Sequence, residues 1–521
     1  MGMVKGKVAV KKFGHPYLVG FWISILWLNA TGYAGEHVSI TVDLNRTFQQ
    51  IDNFGASDCW SMQMIGGWSE ENRNHVADLL FSRSAGIGLS CWRFNIGAGK
   101  PSDIPDPWRS AETFEIAEGE YDWSRQANEQ WFLAAAKARG VERFVAFVNS
   151  PPARMTRNGR THCSPDSGTT NLREGYERQY AGYLADILAY FHHHPDERYR
   201  VDFDWISPVN EPQWDWNDNS QEGNRASNAD IRKIILALHE ALNAKNLKTR
   251  ILFPESGSIA NFYLKEPRAT RLYSSEYGNY LQACCGDPEI VACTGKVICA
   301  HAYWTDLGRA LESSRKRLRA ALDAYPEWQY WQTEYCPLLG TDGKGGGGRD
   351  LTMETALHTA RVIHSDLTIC NASAWHWWLA VSSYQFKDGL IYTDYRQKGD
   401  PETIYPSKTL WVLGHFSRFI RPGSVRLETR GTEKTDGLLV SAYRRQDGRE
   451  LIVVLVNTGE MEWSVHISVN HLPKGMRLDK FTPWMTSETD DLREYPAFSK
   501  SSPFKVPPRS VVTLTGEISP K

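Results

Sequence analysis

Two glutamates stand out because each follows a short apolar run of the kind that forms a buried strand. Glu211 lies in the segment Trp205–Pro212 (WISPVNEP), and Glu334 lies in the segment Tyr330–Tyr335 (YWQTEY). Hydrolysis of a glycosidic bond requires two carboxyl groups, one to protonate the leaving oxygen and one to meet the developing oxocarbenium centre. The surroundings of the two carboxyl groups must differ, so that their pKa values differ as well. The pair therefore indicates glycoside hydrolysis if the fold brings both residues to one pocket.

Short β-rich runs alternate with helical patterns between residues 50 and 420. The helix with the clearest period has Ile231, Ile234, Ile235, Leu238 and Leu242 on one face. Eight runs alternating with helices predict a (β/α)₈ barrel, a TIM barrel in the α/β class. A doubly wound open sheet is the alternative, although no G-x-G-x-x-G motif opens a βαβ unit. The eight runs are Gln50–Ser57, Gly88–Asn95, Arg143–Asn149, Phe203–Pro208, Thr249–Glu255, Val297–His301, Trp328–Thr333 and Ala372–Trp377.

The barrel interpretation assigns the two glutamates to one rim. Catalytic groups in these barrels lie at the carboxyl ends of the strands. Glu211 follows the fourth run and Glu334 follows the seventh, so both side chains are predicted to project to the same end of the barrel. Glu255, at the end of the fifth run, is interpreted as a spare rim carboxylate.

The pattern changes after residue 420. Residues 421–521 carry alternating polar and apolar segments, with Asp447-Gly448 between two of them as a hairpin signal. This pattern predicts a C-terminal antiparallel β-sandwich. Residues 35–49 include the alternating segment HVSITVDLN, which is predicted to add a strand to that sandwich.

The N-terminus has the pattern of a secretory signal. Four lysines precede an apolar run over Tyr17–Leu28, and small residues around Ala34 follow it. Residues 1–34 are therefore predicted to be a signal peptide, and the protein to be secreted or periplasmic, with no membrane insertion after cleavage. An uncleaved anchor is the alternative.

Composition limits the partners. Lys+Arg number 59 and Asp+Glu number 61, so the charge offers no case for nucleic acid as a partner. The 20 tryptophans suit stacking on sugars as well as core packing. No phosphate loop or repeated metal-ligand spacing is present, so neither a cofactor nor a metal is predicted. Nine cysteines leave at least one unpaired, and the cluster of Cys284, Cys285, Cys293 and Cys299 could hold a disulfide.

Several motifs at the predicted strand ends resemble those of glycoside hydrolase family 30, and the resemblance covers nearly the whole chain after the signal. An isolated Asn-Glu-Pro is common, whereas Asn-Glu-Pro with a distal Thr-Glu-Tyr, each at a predicted strand end, is specific. The motifs are FGASDCW (54–60), CWRFNIGAG (91–99), NSPPARMTRNG (149–159), SPVNEPQW (207–214), WQTEY (331–335) and WHWW (375–378).

The resemblance implies a role for each matching residue. Glu211 would be the acid/base and Glu334 the nucleophile, with retention of configuration and carboxyl groups ~5–5.5 Å apart. Asn210 would contact the sugar 2-hydroxyl, and Arg93 would hold the nucleophile ionised. His301 or Tyr303 would hydrogen-bond near Glu334, Asp58 would bind hydroxyls on the non-reducing side, and Trp377 or Trp378 would lie beneath the sugar at the cleavage point.

Two further residues are predicted to bind substrate. Trp214 could be a sugar platform or a core residue. Arg154 stands where family members commonly have tryptophan in S-P-P-x-W-M, which puts the usual aromatic wall in doubt. An arginine there could hydrogen-bond sugar hydroxyls or meet an acidic substituent.

The loop after the fourth strand suggests a substrate. Its sequence EPQWDWNDNSQEG (211–223) resembles that of the endo-β-1,6-galactanases, which predicts a β-linked glycan such as plant galactan side chains. The alternatives are a β-1,6-glucanase, an exo-acting β-glycosidase of the same family, or a non-catalytic carbohydrate-binding protein on the same scaffold. A non-catalytic relative usually lacks one of the two carboxylates, and both are present here.

Overall fold

Eight parallel strands close into a barrel in the computed structural model, which describes residues 36–101, 103–433 and 435–521. The predicted fold class is therefore confirmed. Strand 5 is in two pieces: the first pairs with strand 4 and the second pairs with strand 6. Barrel strands 1 to 8 are Asn53–Ser57, Cys91–Asn95, Arg143–Phe147, Trp205–Ser207, Arg250–Ile251 with Phe253–Ser256, Val297–His301, Gln329–Glu334 and Ala374–Ser382.

Helices cover the outside of the barrel and pack their apolar faces on the strands. Asn228–Ala244 buries the predicted stripe from Ile231 to Leu242, and Ser227 and Asp230 cap it reciprocally. Two short helices between strands 5 and 6, Pro267–Tyr273 and Pro288–Cys293, were not predicted. The remaining α-helices are Met62–Ile65, Glu70–Phe81, Ala127–Ala138, Glu177–His192, Gly308–Leu322, Met353–Thr368 and Lys408–Ser417.

A ten-stranded, mostly antiparallel sheet forms the second part of the molecule and encloses its own apolar core. The strand Glu36–Gln50 lies inside this sheet, parallel to Trp463–Asn470 on one side and antiparallel to Val425–Arg430 on the other. The other strands are Leu438–Arg444, Glu450–Asn457, Lys480–Thr486, Arg493–Glu494, Phe498–Ser499, Phe504–Val506 and Ser510–Glu517.

One helix joins the two parts. His415, on the helix Lys408–Ser417, is buried and forms hydrogen bonds to two sandwich hydroxyls: Nδ1 lies 2.8 Å from Thr513 Oγ1, and Nε2 lies 2.9 Å from Thr486 Oγ1. Burial lowers the pKa of His415 to about 3. The ring is therefore neutral, with one donor and one acceptor nitrogen that the two hydroxyls satisfy.

Two expectations from the sequence can be compared with this fold. All nine cysteines are free thiols, so the suggested disulfide in the Cys284–Cys299 cluster is not formed. The predicted signal peptide lies outside the described residues. No helix in the described part of the chain is long and apolar enough to span a bilayer.

Candidate active site

Side chains two residues apart on a strand share a face, so the side chains inside the barrel form stacked layers. Here an apolar layer lies below a polar layer. The polar layer lies nearer the carboxyl ends of the strands, which is the end predicted to carry the site. The apolar layer contains Cys91, Val145, Trp205, Leu252, Val297, Cys299, Trp331 and Ala374. The polar residues two positions further along these strands are Arg93, Ser207, His301, Thr333 and His376.

Glu334 ends barrel strand 7, and both of its oxygens are occupied. Arg93 Nη1 donates to Oε2 over 2.7 Å, and the hydroxyl of Tyr303 donates to Oε1 over 2.8 Å. His301 Nδ1 lies 3.4 Å from the same Oε1. Charge-assisted hydrogen bonds of this kind fix the orientation of the carboxylate and stabilise its negative charge.

Glu211 sits in a strained turn just past barrel strand 4. Its φ is 43°, in the left-handed region that a glutamate rarely adopts. The backbone holds this turn, because the Glu211 N–H donates to the Glu255 carbonyl over 2.8 Å and the Glu211 carbonyl accepts from Trp216 Nε1 over 3.0 Å. The side-chain Oε1 accepts a hydrogen bond from His301 Nδ1 over 2.8 Å. Backbone and side chain are thus both positioned.

Burial raises the pKa of Glu211 above the usual range of a glutamate, against the opposing effect of the His301 cation. Its carboxyl group therefore keeps a proton at a pH where an exposed glutamate would be ionised. This is the property that a general acid needs.

Glu255 lies fully buried beneath the pair. It accepts hydrogen bonds from His301 Nε2 over 3.2 Å, from Ser207 Oγ over 2.5 Å and from Thr333 Oγ1, and Arg93 Nη2 lies 3.4 Å away. Burial acts to raise the pKa of Glu255, but Arg93 and His301 together hold it well below its usual range. Glu255 is therefore a buried anion beneath the site, and its interpretation as a spare rim carboxylate is wrong.

His301 is the cation that joins the three glutamates. Burial acts to lower its pKa, but Glu334, Glu211 and Glu255 raise it to about 9. At neutral pH it is an imidazolium that donates from both ring nitrogens. Two cations, His301 and Arg93, thus face three carboxyl groups, and the charges balance when one of these groups is protonated.

The two carboxylates are close enough to act on one carbon. One oxygen of Glu211, one nitrogen of His301 and one oxygen of Glu334 lie within 4.8 Å of one another. Carboxyl groups ~5–5.5 Å apart are typical of retaining glycosidases, and ~6.5–9.5 Å of inverting ones. A metal would need a free lone pair on His301, but both nitrogens donate to carboxylates, so this donor set does not fit a metal ion.

A cavity of about 290 Å³ opens above the two glutamates. Trp378, at barrel strand 8, and Tyr303 line it with most of their surface buried, whereas Trp304 is 44% exposed. Flat aromatic faces of this kind suit contact with sugar rings. The other lining residues are Arg109, Trp216, Ser220, Gln221, Cys336, Leu338, Phe386 and Asp388.

Arg225 holds the loop that carries Trp216. Its buried guanidinium donates to the carbonyls of Gly168 and Asp215 over 2.8 and 2.5 Å, and to the side chains of Asn217 and Tyr273 over 2.6 and 2.9 Å. One side chain thus connects the loop after barrel strand 3, the loop after strand 4 and the helix before strand 6.

The two candidate tryptophans of barrel strand 8 have different positions. Trp378 lines the cavity, but Trp377 is 0% exposed. Trp377 Nε1 donates to the Asp388 carbonyl over 2.7 Å, and its ring packs edge-on against Tyr335. Adjacent residues on a strand point to opposite faces. The prediction that Trp377 binds substrate is therefore wrong.

Arg154 does not line the cavity either. Its Nη2 lies 2.7 Å from both oxygens of Glu115, and Glu118 lies 4.0 Å from Nη1. The guanidinium is thus occupied by a carboxylate of this chain. The prediction that Arg154 contacts sugar is not met in this arrangement.

Three further predicted binding residues lie around the site. Asn210 Oδ1 accepts from Arg93 Nη2 over 3.3 Å, and the Trp214 ring packs edge-on against Trp304 at 5.2 Å. Asp58 is buried: one oxygen accepts the Asn95 N–H over 2.8 Å, and the other has no partner within the described ranges. Burial raises the pKa of Asp58 well above its usual range. The binding of sugar by these residues stays a prediction.

Arg109 is a cavity residue that the sequence did not indicate. It lies in a short 3₁₀ helix in the loop after barrel strand 2, and its guanidinium is 4.3 Å from the centre of the Tyr384 ring. A single arginine in a long loop carries no pattern that distinguishes it from a solvated surface charge. The signal that could have drawn attention to Arg109 is that its loop follows the carboxyl end of a barrel strand, where active-site residues lie.

The chain matches two family models in succession. Residues 37–392 match the model of O-glycosyl hydrolase family 30, and residues 423–514 match the family 30 β-sandwich domain. The first match spans almost all of the strand Glu36–Gln50 and all eight barrel strands, and the second spans most of the C-terminal sandwich.

The similar proteins do not share one activity. An endo-β-1,6-galactanase of Hypocrea rufa is 24% identical over 459 residues, covering 82% of this chain and 83% of the relative. A conserved exported protein of Bacteroides fragilis is 28% identical with a TM-score of 0.81, covering 92% of this chain and 100% of that one. The catalytic domain of a Talaromyces cellulolyticus xylanase C is 21% identical with a TM-score of 0.65, over 92% and 100% of the two chains.

Proposed function

The chain belongs to glycoside hydrolase family 30 and is a retaining glycoside hydrolase, and from that premise we propose that Glu211 and Glu334 carry out a double displacement on a β-linked glycan. The observation that supports this most is the spacing of their oxygens, within 4.8 Å across one cavity. Glu211 is the acid/base and Glu334 the nucleophile.

In the first step, Glu334 attacks the anomeric carbon while the bond from that carbon to the leaving oxygen breaks. Glu211 transfers its proton to the leaving oxygen, and a glycosyl ester of Glu334 forms. Arg93 and Tyr303, which hold the two oxygens of Glu334, keep the attacking carboxylate aimed at one face of the sugar.

In the second step, water attacks the same carbon from the side of the departed group. Glu211, now ionised, takes a proton from that water, and the ester bond to Glu334 breaks. His301 lies beside both carboxyl groups, so it stays close to whichever of them is negative as the charge moves. Configuration at the anomeric carbon is retained because it is inverted twice.

The proposed substrate is a β-1,6-linked galactan, cleaved within the chain. The support is the similarity to the Hypocrea rufa endo-β-1,6-galactanase and the loop sequence 211–223, whose Trp216 lines the cavity. A β-1,6-glucan is the second candidate, because a solved endo-β-1,6-glucanase is 19% identical with a TM-score of 0.65. The N-terminal segment supports the further proposal that the enzyme is secreted and meets polysaccharide outside the cytoplasm.

Hydrolysis of a panel of β-1,6-galactan, β-1,6-glucan and xylan tests the substrate, with product lengths read by chromatography. We expect β-1,6-galacto-oligosaccharides of several lengths from the first polymer. Equal or faster hydrolysis of the glucan would contradict the galactan proposal, and release of a single short product from chain ends would contradict internal cleavage.

The variant Glu334→Ala tests the mechanism separately. We expect loss of turnover and partial recovery with azide, which would enter the space of the lost carboxylate and give a glycosyl azide of inverted configuration. The variant Glu255→Ala is the matched control, because its carboxylate is buried below the cavity and azide cannot replace it as a nucleophile. A folded Glu334→Ala protein with substantial activity would contradict the assignment.

A further inference from the structure

A second cavity, of about 570 Å³, lies between the barrel and the sandwich. The helices Glu70–Phe81 and Ala127–Ala138 contribute their C-terminal ends, which lead into barrel strands 2 and 3. The cavity is therefore at the end of the barrel opposite to Glu211 and Glu334. Its lining residues are Asp78, Ser82, Arg83, Ser84, Arg139, Arg418, Phe419, Arg445, Glu450, Trp484 and Thr515.

Four arginines and two acids line this cavity, so it carries excess positive charge in a chain whose formal net charge is −2. Two of the arginines are paired: Arg139 Nε lies 2.7 Å from Asp78, and Arg445 Nε lies 2.6 Å from Glu450. The other two, Arg83 and Arg418, lie within 4 Å of no carboxylate of the described chain.

Helix termini do not account for the two unpaired arginines. Helix C-termini attract cations, and Arg139 Nη1 does donate to the Ala135 carbonyl over 3.3 Å. The guanidiniums of Arg83 and Arg418 make no hydrogen bond within residues 36–101, 103–433 and 435–521. Their N–H groups are free to bind a ligand.

Aromatic rings hold Arg418 in place. Its guanidinium lies 4.5 Å from the centre of the Trp484 ring and 5.7 Å from that of Phe419. Stacking of this kind orients the planar group and leaves its N–H edge available, which reduces the ordering cost of binding. Burial lowers the pKa of Arg418, the Glu494 carboxylate raises it, and the Arg83 cation lowers it, so the two guanidiniums repel each other. An anion between them would remove that repulsion.

We propose that this cavity is a second, non-catalytic binding site for an acidic sugar, with the carboxylate of a uronic acid residue held by Arg83 and Arg418. A carboxylate matches the two parallel N–H groups of a guanidinium, and Phe419 and Trp484 provide an apolar wall for the ring that carries it. The choice of a sugar as the carrier rests on the proposed function. The site would keep the enzyme on an acid-bearing polysaccharide while the catalytic cavity is at the other end of the barrel.

Affinity electrophoresis of the full chain in gels that contain polygalacturonate tests the proposal. Fully methyl-esterified polygalacturonate is the neutral control polymer. The double variant Arg83→Gln, Arg418→Gln is compared with Arg178→Gln, Arg309→Gln, which removes the same charge from exposed positions elsewhere. Hydrolysis of the neutral substrate and thermal unfolding are measured on every variant, and Arg83→Gln alone is included because its exposed side chain can be changed without risk to the core.

We expect the acidic gel to retard the parent and the control variant, and the cavity variants to bind at least about fivefold more weakly with unchanged hydrolysis. No retardation of the parent, or equal loss in the control variant, would overturn the proposal. Displacement by inorganic phosphate as effective as by free galacturonic acid would overturn the sugar assignment in favour of a simple anion site. Loss of hydrolysis with retained retardation would instead count against the proposed function.

Discussion

The chemistry of the site depends on which of three glutamates holds a proton. Glu211, Glu255 and Glu334 share one imidazolium, His301, and Arg93 adds a second cation. Burial raises the pKa of Glu211, whereas Arg93 and His301 hold that of Glu255 well below its usual range. The same cations therefore permit one glutamate to act as an acid while another, only a few ångströms away, stays negative.

The variant Glu211→Ala should lose activity according to the leaving group. A substrate with a poor leaving group needs protonation, so its first step should slow by about 10²–10⁴-fold. An activated aryl glycoside needs no proton and should be cleaved with little loss in that step. Kinetics with a series of aryl galactosides measures how the rate depends on the leaving group. An equal loss for all leaving groups would refute the acid role.

The variant Glu255→Gln should shift the pH dependence of kcat/KM. Without the anion on Nε2, the pKa of His301 falls from about 9 towards its ordinary 6.5, so the cation beside Glu211 and Glu334 is lost at lower pH. We expect the alkaline limb to move to lower pH by about one unit. The variant Glu129→Gln, a buried carboxyl group outside the site, is the control.

A uniform fall in kcat/KM with an unmoved alkaline limb would mean that Glu255 only supports the fold.

The raised pKa of His301 also makes the stability of the folded protein depend on pH. Because the folded protein holds the His301 proton more tightly than the unfolded chain, this contribution is complete below about pH 6.5 and is lost as the pH rises through about 9.

Glu211 and Glu334, the proposed catalytic residues, could be recognised in the sequence because each lies in a motif at a strand end. Glu255 could not, because a lone glutamate after a short apolar run has no feature that separates a rim position from a buried ion pair. The alternation of side chains along a strand could have distinguished the cavity residue Trp378 from the buried Trp377. On barrel strand 8, His376 and Trp378 share a face two residues apart, and that face points into the barrel.

Close packing between the elements around Glu211 places the acid. Gly257, just past barrel strand 5, has no room for a side chain: a methyl group there would come within 2.3 Å of Trp214 Nε1 and 2.9 Å of Glu211 Oε1. The loops after strands 4 and 5 thus touch at the carboxyl group of Glu211.

The variant Gly257→Ala should displace the Glu211 side chain and lower kcat, by up to about 10²-fold for a shift of about 1 Å. The variant Gly182→Ala is the matched control, because a methyl group there meets nothing within 4 Å. Steady-state kinetics and melting temperature are measured for both. Unchanged kcat in a folded Gly257→Ala protein would show that the contact does not set the position of Glu211.

The long elements were predicted because their apolar period is strong, and the short ones were not. Pro267–Tyr273 and Pro288–Cys293 are too short for an amphipathic period to be recognised. Their N-terminal signals were nevertheless present, since Glu266 and Asp287 each cap a helix that begins with proline. Capping residues followed by proline would have been the better indicator in this segment.

The two parts of the molecule are joined through buried polar contacts as well as apolar packing. The variant Thr513→Val removes one hydroxyl partner of His415 and leaves a buried ring nitrogen without its hydrogen bond, which costs about 1–3 kcal/mol. We expect a lower free energy of unfolding with unchanged activity in the cold. Chemical denaturation measures it.

The control is Thr409→Val, an identical change on the joining helix at a buried hydroxyl that has no hydrogen-bond partner in the described part of the chain. It should leave stability nearly unchanged. If both variants lose the same free energy, the His415 contact contributes nothing specific.

The presence of a sandwich could be predicted from the alternating segments, but the pairing of its strands could not. Alternation over residues 37–45 indicates a half-buried strand without identifying its neighbours. The structure pairs Val38 with Val465 in parallel and Val42 with Thr429 in the antiparallel sense. Both partners lie about four hundred residues away, beyond any local signal.

That position of the strand Glu36–Gln50 has a consequence for synthesis. This strand is translated before every other described strand, yet its two neighbours emerge only when residues 425–470 have been translated. Domains usually fold from the N-terminal end as the chain grows. Here, however, the strand Glu36–Gln50 stays unpaired until Val425–Arg430 and Trp463–Asn470 have been made. The last hundred residues thus complete the fold of the first fifteen described ones. Nascent chains that stop early leave this strand with unpaired backbone edges, which can associate with other chains.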